Sequence, residues 1–254
     1  MIELPSFTPG PPIAISASSF QKFLRCPDQG LSHFRGIYGQ TSRDGWIGQL
    51  VHRLIARDLT DGPIDDIELV ARIEIGSTNL NFDLAAIGRP SDIRRAIAEA
   101  VEVYVQFRHL PRPELSEIEV SIVHDAGGDV TLKGRMDGVQ VTSDGVSIVD
   151  WKKGPIRPET RHQLTFYGLL WVLERQALPN DLQAISIQTG ERASFPVSIA
   201  DLERTVELVA GLVHDVRSAL LVDRQLSREP GPWCRFCPIL DGCGEGQETV
   251  SLLA

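Results

Sequence analysis

Val146-Ser147-Ile148-Val149-Asp150-Trp151-Lys152-Lys153-Gly154 is the stretch on which the fold turns. It is apolar and β-branched, and Gly145 and the Gly154-Pro155 pair bound it. That composition predicts a short buried strand. A buried strand that ends in a carboxylate, a tryptophan and a lysine is unusual. Strand side chains alternate between faces, so Asp150 and Lys152 share a face with Val146 and Ile148. A carboxylate and an ammonium placed this way can hold a divalent cation and polarise an attacking water. The same pair can also be an ordinary salt bridge at a strand end.

A second stretch bears on that choice. Asp129 to Val141 also alternates. Val130, Leu132, Gly134 and Met136 fall on one face, and Thr131, Lys133, Arg135 and Asp137 on the other. Thr142-Ser143-Asp144-Gly145 supplies a turn into the first stretch. The pattern predicts Asp137 and Asp150 on neighbouring antiparallel strands, close to the connecting turn. Two carboxylates brought together repel unless a cation lies between them. Hard oxygen ligands suit Mg²⁺ or Mn²⁺.

Composition narrows the function classes. The chain has 254 residues, enough for one large domain or two small ones. No apolar run reaches membrane-spanning length, and the N-terminus lacks a basic-then-apolar signal pattern, so the expectation is a cytoplasmic protein with no membrane partner. A net charge of -9 gives no overall attraction to nucleic acid, which leaves a local basic groove or a bound metal to provide it. There is no G-x-x-x-x-G-K-[ST] loop, so an ATP-driven motor is not expected from this chain alone.

Along the chain, residues 1–14 read as an extended proline-rich arm. Ser16 or Ser18 caps a short helix through about Arg25, which Cys26-Pro27 ends. Gly45 to Leu59 is an amphipathic helix, with Trp46, Leu50 and Leu54 at four-residue steps and Ile47, Val51 and Ile55 beside them. On it, Gly48 and His52 are one turn apart, which leaves room for something to approach the imidazole; a buried, hydrogen-bonded histidine is the plain alternative. Ile67 to Ile75 reads as helical within an otherwise loop-like stretch at 61–90. A long helix covers Asp92 to His109, and Pro111 and Pro113 stop it. Ile118, Val120 and Ile122 alternate as a strand that sets Glu119 on the opposite face, where it is either a further acid near a metal or a solvated edge residue. Pro158 to Gln176 is a helix with Gln163, Tyr167 and Trp171 on one face. A glutamine–tyrosine pair there can orient a phosphate or brace a carboxylate. Strands are predicted over Leu182–Gln188 and Ala193–Val197, and a last helix over Ile199–Leu221.

All four cysteines, Cys26, Cys234, Cys237 and Cys243, lie near the two ends of the chain. With no signal pattern, disulfides are not expected, and C-x-x-C points to metal or redox chemistry. Four thiolates can bind Zn²⁺ or ligate an iron–sulfur cluster. Either would tie the two ends of the fold together.

Taken together, the order and spacing of these pieces resemble the RecB-type branch of the PD-(D/E)XK nuclease superfamily that carries an iron–sulfur staple, the branch of the AddB nuclease domain and the CRISPR-associated exonucleases of that fold. The resemblance runs from Ser16-Ala17-Ser18-Ser19-Phe20 and Cys26-Pro27 through Gly48 and His52, Gly134-Arg135-Met136-Asp137, Asp150-Trp151-Lys152, Gln163 and Tyr167 to Cys234, Cys237 and Cys243. It implies an α/β, restriction-endonuclease-like core with a mixed central sheet flanked by helices, its termini tied by a Cys-ligated cluster. The implied parts are an N-terminal helical part (15–60), a helical insertion (61–112), a catalytic core (113–198) and a C-terminal helix with the cysteines (199–254). The implied activity is metal-dependent DNA cleavage by an end-dependent exonuclease, in DNA repair, recombination or CRISPR- or phage-related DNA processing. His52, Asp137, Asp150 and the carbonyl of Trp151 would bind Mg²⁺ or Mn²⁺. Lys152 would serve the water, with Gln163 and Tyr167 at the substrate and Cys26, Cys234, Cys237 and Cys243 on a [4Fe-4S] cluster. Arg135, Arg157 and Arg161 could line a groove. The implied partner is DNA with a free single-stranded end, in a complex with a helicase or an integrase. One departure stands out: Asp28-Gln29-Gly30 follows Cys26-Pro27 where the family often has basic or aromatic residues. A non-catalytic end-binding subunit and a zinc-stapled interaction protein are the rival readings.

Overall fold

A computed structural model of the chain describes residues 2–253. In chain order it has β1 (Ile13–Ser16), α1 (Ala17–Arg25), α2 (Pro27–Phe34), α3 (Arg43–Asp61), α4 (Ile67–Ser77), α5 (Leu84–Ile87), α6 (Pro90–Arg108), β2 (Glu117–Gly127), β3 (Val130–Thr142), β4 (Gly145–Lys152), α7 (Thr160–Arg175), β5 (Asp181–Ser186), β6 (Arg192–Pro196), α8 (Ile199–Val222) and α9 (Gly244–Leu252). The predicted helices and strands are all present, with ends moved by a few residues. Of the two candidate caps, Ser16 does the work. Its hydroxyl accepts the Ser19 N–H at 3.1 Å, and its own N–H donates to Ser19 Oγ at 2.8 Å.

The sheet is mixed, as expected. β2 lies antiparallel along one edge of β3. The other edge of β3 takes two strands end to end. β1 runs parallel to it from Ile13↔Val130 to Ser16↔Lys133, and β4 runs antiparallel from Thr142↔Gly145 to Gly138↔Val149. There the ladder with β4 stops. β4 itself continues, paired in parallel with β5 as far as Lys152↔Ser186. β3 and β4 therefore part beyond Gly138 and Val149, and Asp137 and Asp150 stand at the mouth of the fork. This corrects the expectation that the two acids lie close to the connecting turn. The turn is at the opposite end of the ladder, and the apolar cross-strand pairs Val139↔Ile148 and Val141↔Val146 separate it from the acids.

Both faces of the sheet are covered, which is why β4 reads as a nearly continuous apolar run. On one face Ile148, Leu182 and Ala184 join α1, α7 and α8 in a core that includes Phe20, Phe166 and Leu212. On the other, Val149, Trp151 and Ile185 meet α3 and α6. The periodic residues of α3, from Trp46 to Ile55, are all buried there. Trp151 is buried edge-on against Phe107, with ring centroids 5.6 Å apart. Alternation in β4 thus sends Trp151 into one core and aims Asp150 and Lys152 at α7.

Three helices, α2, α5 and α9, and the strand β1 were not read from sequence. The unusual Asp28-Gln29-Gly30 explains the first. Asp28 is buried, accepts the Leu226 N–H at 3.1 Å and the Arg228 Nε–H at 2.9 Å, and its own N–H donates to the Ser227 carbonyl at 3.1 Å. The departure is a clamp that fixes the start of the chain to its end. Gly30 lets α2 press against α1, since a Cβ there would stand 2.5 Å from Phe23 Cα. Gly30→Ala should accordingly lower the denaturant midpoint, with a loss of about 1–3 kcal/mol from overpacking. An unchanged midpoint in urea unfolding would show that the helices can move apart freely.

Candidate active site

The fork is filled by side chains from three directions. Asp137 sits at its mouth on β3. Its Oδ2 accepts the Trp151 N–H at 2.8 Å, so a side chain takes the donor that β3 backbone would have bonded had the ladder gone on. Its Oδ1 is 2.9 Å from His52 Nδ1. His52 comes from α3, whose rotation is fixed six residues later by fully buried Asp58, bonded to the Tyr104 hydroxyl and to Arg112. Gly48, one turn before His52, faces open space: a Cβ there would meet nothing within 4 Å.

Asp150 occupies the other side of the fork and is only 3% exposed. Lys152 Nζ makes an ion pair with its Oδ2 at 2.6 Å, the one partner that oxygen has among the described residues. Lys152 also donates to Gln163 Oε1 at 2.6 Å. Gln163 Nε2 donates to the Tyr167 hydroxyl at 3.0 Å and reaches Asp150 Oδ1 at 3.4 Å. The four-residue spacing read from sequence thus becomes a contact on α7. Gly134 makes it possible, because a Cβ there would stand 2.6 Å from Leu170 Cδ1 and 3.0 Å from Tyr167 Cε1. Trp171, on the same stripe, is buried with its indole nitrogen unpartnered.

The electrostatics separate the two acids. Burial acts against the charge of Asp137, but His52, the Trp151 N–H and Lys152 hold its carboxyl below the usual range. Burial raises Asp150, and Asp137 adds to that while Lys152 opposes it. Burial pulls the His52 imidazole down, yet the charges of Asp137 and Asp150 leave it raised. Tyr167 is pushed well up by burial and by Asp150. His52, Asp137, Asp150, Lys152, Gln163 and Tyr167 are therefore one connected group.

Glu119 stands in register beside Asp137, making a row of three carboxylates across β2, β3 and β4. Its φ of 53° and the gap in the β2–β3 ladder between Ile118↔Gly138 and Val120↔Met136 mark an irregularity in β2 at that point. Met136 and Val139 both join the same core, so the alternation of β3 slips once between them, beside Glu119. Glu119 is engaged by Arg135 at 3.1 Å and by Arg53 at 3.9 Å, and burial raises its pKa. Arg161 is turned away to Asp201 at 3.2 Å. Arg53 and Asp58 were missed from sequence. Asp58 had a signal, since it continues the apolar stripe of Val51, Leu54 and Ile55; Arg53 had none.

The four cysteines are free thiols, and three of them are buried. Backbone N–H groups point at three sulfurs: Glu229 at Cys26 (3.5 Å), Gly231 at Cys234 (3.4 Å) and Gly246 at Cys243 (3.3 Å). After burial, the other three thiols help to raise Cys237, which places all four in one neighbourhood. As the side chains stand, no three His, Cys, Asp or Glu residues among the described residues form a group that could hold a metal ion.

The model of the PD-(D/E)XK nuclease superfamily matches residues 14–244. A crystal structure from Eubacterium rectale, described as a "Putative exonuclease", is similar in fold, with a TM-score of 0.56 and 15% identity over 90% of this chain and 87% of that one. A solved structure named SSO0001 aligns with a TM-score of 0.38 and 16% identity over 77% of this chain and 95% of that one. None of the curated proteins matches.

The His52–Asp137 pair carries a pH signature. A raised histidine contributes stability that is complete below its unfolded value and lost as pH rises through the folded one. A lowered carboxyl contributes stability that is complete above its unfolded value and lost as pH falls through the folded one. The stability difference between wild type and Asp137→Asn should therefore be largest between about pH 4 and about pH 6.5, the two ordinary values, and shrink on both sides. Urea unfolding of both proteins across pH 3–9 without added metal checks it; a flat difference would mean that the two groups are not paired.

Proposed function

Because the chain belongs to the PD-(D/E)XK nuclease superfamily, we propose that it is a Mg²⁺- or Mn²⁺-dependent deoxyribonuclease of the iron–sulfur RecB/AddB type, acting from a free DNA end. One observation carries the metal reading: the buried Asp150 carboxylate, a second carboxylate from Asp137 and the His52 imidazole converge at the fork, and Asp150 Oδ2 has only the Lys152 ammonium, 2.6 Å away, as its partner. Two carboxylates crowded at one site repel, and one lysine does not neutralise both, which favours a further cation between them. His52, Asp137, Asp150 and the main-chain carbonyl of Trp151 would hold the ion. In a strand, a residue's N–H and C=O point to the same edge, so the Trp151 carbonyl faces the fork as its N–H does. When bound, the ion supplies Lewis-acid stabilisation and a more acidic water.

The chain's own residues do the rest. Lys152 brings the ammonium to the Asp150 carboxylate, where it orients a water or the scissile phosphate. Gln163 holds that ammonium with its carbonyl and ties it through its amide to Tyr167 and Asp150. Tyr167, kept protonated, remains a hydrogen-bond donor throughout. The soft sulfur set, with N–H donors aimed at three of its members, fits a [4Fe-4S] cluster in the reducing cytoplasm. A helicase or integrase partner would supply the DNA end.

Asp150→Ala should lose Mn²⁺ binding and cleavage together. Lys152→Ala should still bind Mn²⁺ but cleave at least about 100-fold more slowly. Calorimetric Mn²⁺ titration and digestion of end-labelled linear and closed circular DNA read both; circles should survive. A Lys152→Ala protein cleaving at the wild-type rate would remove the catalytic role of that lysine, and rapid nicking of circles with linear DNA left alone would remove end dependence.

Protein purified without oxygen should be brown and hold about four irons per chain. Stoichiometric zinc without iron would instead favour the zinc-stapled reading.

A further inference from the structure

A line of side chains outside the fork leads up to it. On β3, Lys133 and Arg135 precede Asp137 at two-residue steps, which spaces them about 7 Å apart along the strand. Arg135 leans on Glu119 at 3.1 Å, and Lys133 is exposed. Lys133 and Lys22 of α1 both act on the half-buried His33 ring, adding to burial in lowering its pKa. His33 meets Tyr38 edge-on, with ring centroids 5.2 Å apart. Tyr38 is 68% exposed. The next residue, Gly39, lies against the Phe236 backbone: a Cβ on it would be 3.2 Å from the Phe236 carbonyl oxygen. Phe236 is 66% exposed. Two large exposed rings are thus carried on backbone segments from opposite ends of the chain that meet at Gly39 and Phe236, with Lys22 and Lys133 around the neighbouring His33, on a protein whose net charge is -9.

Neither ring has a role in the core or in the fork. Exposed aromatic rings beside a basic row are the means by which proteins hold single strands: ring faces stack on bases of any identity, and the cations follow the phosphates. An apolar protein partner would have no use for the basic row. We propose that Tyr38 and Phe236 form a stacking platform for unpaired bases of a DNA strand whose phosphates pass Lys133 and Arg135 on the way to the Asp137–Asp150 fork. The occupant rests on the nuclease reading above. Lys133 to Asp137 spans about 14 Å of strand, so the platform meets bases several nucleotides from the fork.

The test is binding of fluorescein-labelled (dT)10 and (dT)2 in EDTA at fixed salt, by anisotropy. The proteins are wild type, Tyr38→Ala, Phe236→Ala, Tyr38→Phe and, as a control, Leu69→Ala, which trims an exposed apolar side chain on α4. Each alanine change on the platform should weaken (dT)10 about fivefold or more. Tyr38→Phe should bind as wild type, Leu69→Ala should change nothing, and (dT)2 should not discriminate among the proteins. Tyr38→Trp should add fluorescence that (dT)10 quenches. Alanine variants that hold (dT)10 as wild type does, or a wild type that does not bind it, would overturn the platform. Cleavage is read separately with Mn²⁺. A cleaving enzyme whose alanine variants bind normally overturns the platform and leaves the nuclease reading; a wild type that binds through both rings and cleaves nothing does the reverse.

Discussion

The hydrogen bond from the Trp151 N–H to Asp137 Oδ2 is the interaction on which the site depends. In a continuous sheet that donor would go to β3 backbone. Here a carboxylate takes it, and the sheet can end its β3–β4 ladder without leaving a buried N–H unpaired. β4 does not come loose, because its other edge stays paired with β5 and Trp151 is packed against Phe107. The result is a wedge-shaped opening between two strands that are each held firmly on their far side. Asp137 thereby does two things at once: it closes the backbone account at the end of the ladder and presents a second oxygen to His52.

Around that wedge the polar groups are tightly interlinked but not fully satisfied. Gln163 links Lys152, Asp150 and Tyr167, so four side chains from a strand and a helix share one set of bonds. Asp150 Oδ2 stays outside it, and Glu119 adopts a left-handed backbone conformation that side chains seldom choose. Strain at Glu119 thus coincides with the place where chemistry is expected. The two apolar cores on either face of the sheet supply the stability against which these costs are set.

Much of this was legible. The period-two pattern of β3 and β4 and the period-3.6 pattern of α3, α6, α7 and α8 depend on local sequence alone, and they appear as read. Alternation likewise placed Asp150 and Lys152 on one face. Distance from a turn was not legible. Both acids are five residues from it, and the ladder occupies all of that distance, so they stand at its open end, away from the turn. The helix α2 was obscured by proline and glycine, whose roles as a first-turn residue and as a contact surface for Phe23 exist only in three dimensions. The bond between Arg53 and Glu119 joins a helix to a strand from distant parts of the chain and leaves no trace in either segment.

The clamp at Asp28 also sets a timetable. It joins residues 198 and 200 positions apart, and β1 pairs with β3, which lies far later in the chain. A chain emerging from the ribosome can form its helices as they appear, but β1 must wait for β3, and α2 lacks its Asp28 clamp until residues 226–228 have been made. Long-range closure of this kind makes folding slow and makes it end abruptly. It also means that shortening the C-terminus would disturb the first thirty residues as much as the last, with the loss communicated through Asp28 rather than along the backbone.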